Sequence, residues 1–322
     1  MSAAPRTLLD KIWDAHTVAD LGHGMSLLLV DRNLLHDLSG LNALDALEAN
    51  GLGVAAPQSH LAVPDHAIST APDRALRRNA TGRDRAERLK AAAEQHGISF
   101  IDIDDPRQGI VHIIGPELGF TQPGLVMTCG DSHTSTHGGL GALAFGIGST
   151  DLVNVLASGC TIQKRPKRMR VTIAGERPAG VTPKDMILYL IGEVGAAGGN
   201  DHAVEYAGEA ITSLDVEGRA TVCNMSIEFG AKVGMIAPDD TVFDYLAGRP
   251  FAPTADEFDE AVKHWRTLSS DADAVFDREI EIDGRAIAPQ MTWGTSPEHT
   301  IPITGRVPDP ATAADPGTRA AW

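Results

Sequence analysis

Cys129-Gly130-Asp131-Ser132-His133-Thr134-Ser135-Thr136-His137-Gly138 closes the apolar run Leu125–Cys129 and leads into Gly141-Ala142-Leu143-Ala144-Phe145-Gly146-Ile147-Gly148. A short apolar run that opens into Gly-Asp-Ser has the pattern of a buried strand ending in a loop. After the glycines, Ser149-Thr150-Asp151 is a helix N-cap signal for a helix over Asp151–Ser158. Strand, polar loop and helix in that order form the repeating unit of an α/β fold.

The same alternation extends outward from this stretch. Further strands are expected at Ser26–Val30, His60–Val63, Ser99–Ile103, Ile110–Ile114, Met169–Ile173 and Ala220–Cys223. Helices are expected at Ala43–Asn50, Arg83–His96, Pro183–Val194 and Thr241–Leu246. Near the N-terminus, within Ser2–Val18, Leu8, Leu9, Ile12 and Trp13 share one helical face, the mark of a packed helix rather than a signal peptide. Interleaved strands and helices predict α/β layers with mostly parallel sheets.

At 322 residues and 34.0 kDa the chain exceeds the usual single-domain size. The basic cluster Lys164, Arg165, Lys167 and Arg168 around Pro166 reads as an exposed connection, which predicts a first domain over 1–168 and a second over 169–306. The tail, 307–322, has the Pro, Ala, Asp and Thr composition of a linker. A net charge of −16 excludes a protein that grips nucleic-acid phosphates through a basic surface. Apolar stretches are far shorter than a membrane span. Three scattered cysteines, Cys129, Cys160 and Cys223, argue against a disulfide framework and fit a reduced, cytoplasmic setting. With no Cys-x-x-Cys pair, they read as small buried hydrophobes rather than cluster or zinc ligands.

Histidines beside acids carry the chemistry. Pro64-Asp65-His66, Gly109-Ile110-Val111-His112 and the Asp131–His137 segment each belong to or follow an expected strand, where α/β proteins place their binding groups. A histidine held by a carboxylate keeps one tautomer and gains basicity, which suits proton transfer near neutral pH. Asp131, Ser132 and His133 cannot form a nucleophilic triad by themselves, because neighbours on an extended chain point apart. Gly-Asp-Ser is also shared with an esterase family, but there it lies near the N-terminus. His133 and His137 have the spacing of two zinc ligands on a helix, yet the glycines that follow indicate a loop and no third ligand is evident. The glycines from Gly138 to Gly148 match neither a dinucleotide fingerprint nor a phosphate loop. They permit close packing, or a helix N-terminus that receives a carboxylate. Glu205, in Ala203-Val204-Glu205-Tyr206, is either solvent-facing by alternation or a buried partner for a histidine.

Taken together, Cys129–Gly138 and Gly141–Gly148 resemble the aconitase superfamily, and more narrowly the large subunits of bacterial 3-isopropylmalate dehydratases. Supporting segments are Leu8–Trp13, Gln108–His112, Leu118–Gly124, Glu217–Arg219, Cys223–Met225, Ala237–Asp240 and Thr292–Thr295, so the likeness runs from Arg6 to Pro310. The resemblance implies three-layer α/β/α domains. It also implies a hydro-lyase that moves a hydroxyl between adjacent carbons of a hydroxy-di- or tricarboxylate, as in leucine biosynthesis. Asp65 and His66 match the pair that protonates the departing hydroxyl, and Asp131, Ser132 and His133 match residues around the substrate. By the family's pairing, Asp131 supports His112 and Glu205 supports His133. The resemblance further implies a [4Fe–4S] cluster and a small subunit that carries the catalytic serine.

Two departures stand out. The family's cluster cysteines lie in Gly-Ser-Cys-Thr-Asn and Gly-Cys-Ser-x-Cys segments, and neither occurs in this sequence. The chain therefore corresponds to the first two domains of a large subunit, with the cluster expected on another segment or chain. Where the family shows Thr-Ser-Pro-Gln-Ala, this sequence has Ser39-Gly40-Leu41-Asn42-Ala43. Asn42 thus stands in place of a substrate-facing glutamine. A truncated paralogue that binds carboxylates without catalysis, or a lyase that works without a cluster, are the other readings.

Overall fold

In the first half of the chain, short strands and helices alternate, with their apolar residues sorted by face. A computed structural model describes residues 4–71, 80–294 and 296–321, so Ser2, Thr295 and Trp322 lie outside the described residues. Helix α1 (Leu8–His16) begins with a capping box in which Thr7 and Asp10 satisfy each other's backbone N–H groups. It buries the expected face: Leu8, Leu9, Ile12 and Trp13. An antiparallel hairpin follows, β1 (Thr17–Gly22) and β2 (Met25–Leu29). Next come β3 (Arg32–Leu35), α2 (Ser39–Ala49), β4 (His60–Ala62), α3 (Ala80–His96), β5 (Ser99–Phe100), α4 (Val111–Glu117), β6 (Val126–Cys129), β7 (Leu143–Gly146) and α5 (Ser149–Ser158).

Strands β5-β4-β3-β6-β7 form a five-stranded sheet in which every pairing is parallel. Leu34 and Leu35 show why its two faces are both covered. Successive strand residues point to opposite sides. Leu34 accordingly joins Leu61, Met127, Val111 and Ile114 under α4, while Leu35 joins Leu44, Leu89 and Leu156 under α2, α3 and α5. That is the expected α/β/α layering.

The chain then enters β8 (Cys160–Lys164), which pairs antiparallel with β2, and β9 (Lys167–Ala174). The expected exposed connection around Pro166 is therefore almost wholly strand. Lys164 and Lys167 are exposed, while Arg165 and Arg168 are partly exposed and paired with Asp10, Asp14 and Asp277. Helix α6 (Pro183–Val194) has its own Thr182/Asp185 capping box. It is followed by β10 (His202–Ala207), α7 (Glu209–Thr212), α8 (Val216–Asn224), β11 (Val233–Ile236), α9 (Asp240–Leu246), α10 (Ala255–Trp265) and β12 (Arg278–Asp283). Strands β11-β10-β9-β12 make a second, four-stranded parallel sheet. On one face Val204 and Tyr206 pack with α6 and α8 residues such as Met186 and Val222. On the other, Ala203, Val233 and Met235 share a core with Leu143 and Phe145 of the first sheet, Trp13 of α1 and Trp265 of α10. A small hairpin, β13 (Gln290–Thr292) and β14 (Thr300–Pro302), follows. Within the tail, α11 (Pro316–Ala321) buries no side chain.

Two expected strands are helices. Ile110–Ile114 lies at the start of α4, where Val111, His112, Ile114 and Gly115 are buried and Ile113 is 44% exposed. Four apolar residues around one histidine cannot distinguish the two periods; the burial of the face decides it. Ala220–Cys223 falls inside α8, capped by Asp215, whose side chain accepts from Gly218 N. Cys223 thus sits on a helix, and Cys160 opens a strand. The expected strand Ser99–Ile103 shrinks to two residues.

Candidate active site

Three loops converge where β3, β4 and β6 end. Asp131 follows β6 and caps the 3-10 helix Ser132–Leu140, accepting from His133 N at 2.8 Å. Two glycines let that helix lie flush against the second sheet. A Cβ on Gly138 would meet Gly234 O at 1.8 Å, and one on Gly139 would meet Ala220 N at 2.7 Å. Ser135 donates to Cys223 O, and Asn224 donates to Thr136 Oγ1 at 2.9 Å, which fixes the 3-10 helix to α8.

Asp131 is the hub. Its Oδ1 accepts from His112 Nε2 at 2.8 Å and its Oδ2 from His66 Nε2 at 3.1 Å. Hydrogen bonds from His112 and His66 hold its carboxyl far below the usual range despite burial. His66 Nδ1 donates to Asp65 Oδ1 at 2.5 Å. Bonded to Asp131 and to Asp65, its imidazole is raised to about 10, so it is a cation at neutral pH. Asp65 in turn accepts from Val111 N at 2.9 Å, joining this loop to α4.

The loop that presents His66 hangs on Asp37, which follows β3. Its carboxylate accepts the backbone N–H groups of Asp65, His66 and Ala67 at 2.8–2.9 Å. Burial alone would raise this acid; the three N–H donors hold it below its ordinary value instead. His36 stacks on His66 with ring centroids 3.9 Å apart. Burial, then the charge of His66, lowers its basicity and keeps it neutral under the cation.

Among the expected site residues, Asp65, His66, His112, Asp131, Ser132 and His133 come together, and Asp131 accepts from His112. Ser132 Oγ lies 3.0 Å from His133 Nδ1. Glu205 does not join them. It sits on β10, pushed up by burial, and accepts from Ser270 Oγ at 2.6 Å. His133 Nε2 donates instead to Glu228 Oε1 at 2.8 Å. Glu205 is engaged by Ser270 and lies near Leu8, whereas Glu228, just beyond α8, is within hydrogen-bond reach of His133. The sequence alone assigned no place in this network to Glu228, Asp37 or His137, the last of which is buried behind His112. For Asp37 the signal was present as His36-Asp37 directly after a strand. Asn42 is exposed on α2 and touches none of these groups.

Among the described residues, His36, Asp37, Asp65 and His66 form the one group compact enough to hold an ion. Its atoms are already engaged: Asp37 by three N–H groups, Asp65 by His66 and Val111, and His66 by two carboxylates. The cysteines do not fit an iron–sulfur cluster. Cys129 is buried in the first sheet and Cys223 in α8, while Cys160 stands at the start of β8. Burial raises all three thiols, the opposite of what thiolate ligands need. A cleft of about 510 Å³ lies beside the network, lined by His112, Ile113, Thr136, Lys184, Met225 and Glu228 among others.

The model of the aconitase family (aconitate hydratase) matches residues 10–321. The chain is similar to 3-isopropylmalate dehydratase large subunit 1 of Bradyrhizobium diazoefficiens, 57% identical over 316 residues. That alignment covers 98% of this chain and 66% of the relative. The chain belongs to the aconitase family.

Proposed function

We propose that this aconitase-family chain supplies the acid–base network of a hydro-lyase that isomerises 2-isopropylmalate to 3-isopropylmalate, within leucine biosynthesis in the cytoplasm. One observation carries the reading: the His66 ring is bonded at both nitrogens, to Asp65 and to Asp131, which raises its basicity. Its bond to Asp131 is, at 3.1 Å, the longer of the two and lies on the exposed side. A substrate hydroxyl oxygen that replaces Asp131 Oδ2 would receive that proton and leave as water, with neutral His66 remaining. Asp131 would stay ionised throughout, oriented by His112 and the His133 backbone. His133, aligned by Glu228 and Ser132 and about one third exposed, would hold a substrate carboxylate or hydroxyl.

The proton on the neighbouring carbon would be taken by a serine on a separate small subunit, the partner implied by the resemblance. Cluster thiolates would come from another segment or chain. The test combines this chain with a cluster-bearing segment and small subunit of the relative. Interconversion of 2- and 3-isopropylmalate supports the reading; a folded assembly without turnover on any hydroxy-di- or tricarboxylate overturns it.

The scattered, protonated cysteines favour a second reading, a carboxylate-binding module without catalysis. Calorimetry of the iron-free chain with 2-isopropylmalate separates the two, since a binding module saturates alone and gains no turnover in the assembly.

A further inference from the structure

Behind His112 the network continues inward instead of ending. His112 Nδ1 lies 3.2 Å from His137 Nε2, and His137 Nδ1 lies 2.7 Å from Thr121 Oγ1. His137 and Thr121 have no solvent exposure. Both nitrogens of His112 are therefore occupied, Nε2 by Asp131 and Nδ1 by His137.

The donor count of this chain of groups permits two arrangements. Asp131 is a carboxylate, so His112 Nε2 always donates to it. When His112 is neutral, its Nδ1 is a lone pair and must accept from His137 Nε2–H. His137 Nδ1 then accepts from the Thr121 hydroxyl. When His112 is a cation, its Nδ1–H donates to His137 Nε2, and His137 Nδ1–H must donate to Thr121 Oγ1. A threonine hydroxyl serves either way, because it both donates and accepts. Burial, then the neighbouring His112, keeps His137 from becoming a cation itself.

We infer that His137, with Thr121 behind it, is a positioning residue that switches tautomer whenever His112 changes charge. The inference rests on the hydro-lyase reading only for its purpose: His112 could gain or lose a proton beside Asp131 without leaving a buried nitrogen unpaired. The balance is simple. The cationic state holds one proton more: the Nε2 proton of His137 passes along the 3.2 Å contact to His112 Nδ1, the incoming proton is bound at His137 Nδ1, and the Thr121 hydroxyl turns from donor to acceptor. The charges that face His112 are Asp131, with His66 and Asp65 beyond it, Glu117 on its own helix, and Lys184, Glu217 and Glu228 across the cleft.

Nitrogen-15 imidazole spectra of the full chain, recorded across pH without substrate, test this. The expected result is that the two ring nitrogens of His137 exchange their protonated and unprotonated positions at the pH where His112 titrates, with His137 never doubly protonated. A single His137 tautomer over the whole range, or a proton gained by His137 on its own, overturns the proposal. Thr121→Val is expected to abolish the exchange and Thr121→Ser to restore it; an exchange that survives in Thr121→Val removes Thr121 from the device. The readout needs no turnover, so this inference and the hydro-lyase reading can fail separately.

Discussion

His133 Nε2 donates to Glu228 Oε1 at 2.8 Å, tying the start of the 3-10 helix to the chain just beyond α8. Among the described residues, the second oxygen of Glu228 is buried and has no hydrogen-bond partner. Glu228 is also one of the residues that line the cleft of about 510 Å³.

Glu228→Gln keeps the shape but removes the charge that orients His133. In the assembled enzyme kcat is expected to fall roughly 100-fold, the lower end of what a positioned proton-transfer group contributes. Glu205→Gln, on the buried face of β10, is expected to leave kcat near wild type. A steady-state assay of both variants checks the assignment, and equal losses would return Glu205 to the site.

The clamped imidazole makes stability depend on pH. His66 is raised from 6.5 to about 10 in the folded chain. A raised group binds more protons folded than unfolded, so its contribution is complete below pH 6.5 and declines as pH rises, vanishing above about 10. Denaturant titrations between these limits are expected to show a decline that His66→Gln flattens. An unchanged slope in that variant would mean that His66 titrates normally.

Gly115 on α4 faces His137 and Thr121. An added Cβ would lie 2.7 Å from both His137 Cε1 and Thr121 Oγ1. Helix propensity favours alanine by about 1 kcal/mol, but overpacking a full site costs about 1–3 kcal/mol. Gly115→Ala is expected to lower the thermal midpoint; a rise would show that the two side chains yield easily.

Arg219 is fully buried in α8 and makes a two-pronged bond to Asp239 at 2.7 and 2.8 Å. Asp239 itself caps α9, so the pair locks the two helices together. Asp239→Asn leaves a buried guanidinium without its counter-charge, at an expected cost of about 3 kcal/mol in denaturant unfolding. A cost below about 1 kcal/mol would show that Leu214 O and Thr212 O suffice to hold Arg219.

What the sequence makes legible depends on how local each signal is. Thr7/Asp10 and Thr182/Asp185 mark helix starts within four residues, and both helices lie where expected. Val126–Cys129 is buried on both faces and shows as a plain apolar run. Arg278–Asp283, an edge strand with alternating charges, gives no such signal; its register is set by pairing with β9. The helix α8 was readable in principle, since Asp215 caps it and Val216, Arg219, Val222 and Cys223 repeat at helical spacing. In the site, Asp65–His66 and Asp131–His133 are legible because acid and imidazole are neighbours. Glu228 is not, because 95 residues separate it from His133 and only the packing of α8 on the 3-10 helix joins them.

The decisive experiment is dehydration of 2-isopropylmalate by the assembled enzyme carrying either His66 or His66→Gln. If His66 is the acid that releases the hydroxyl, kcat falls roughly 10²- to 10⁴-fold with substrate binding retained. A variant that turns over at the wild-type rate would contradict that role, because Asp65, Asp131 and Asp37 would then be holding an imidazole that transfers no proton.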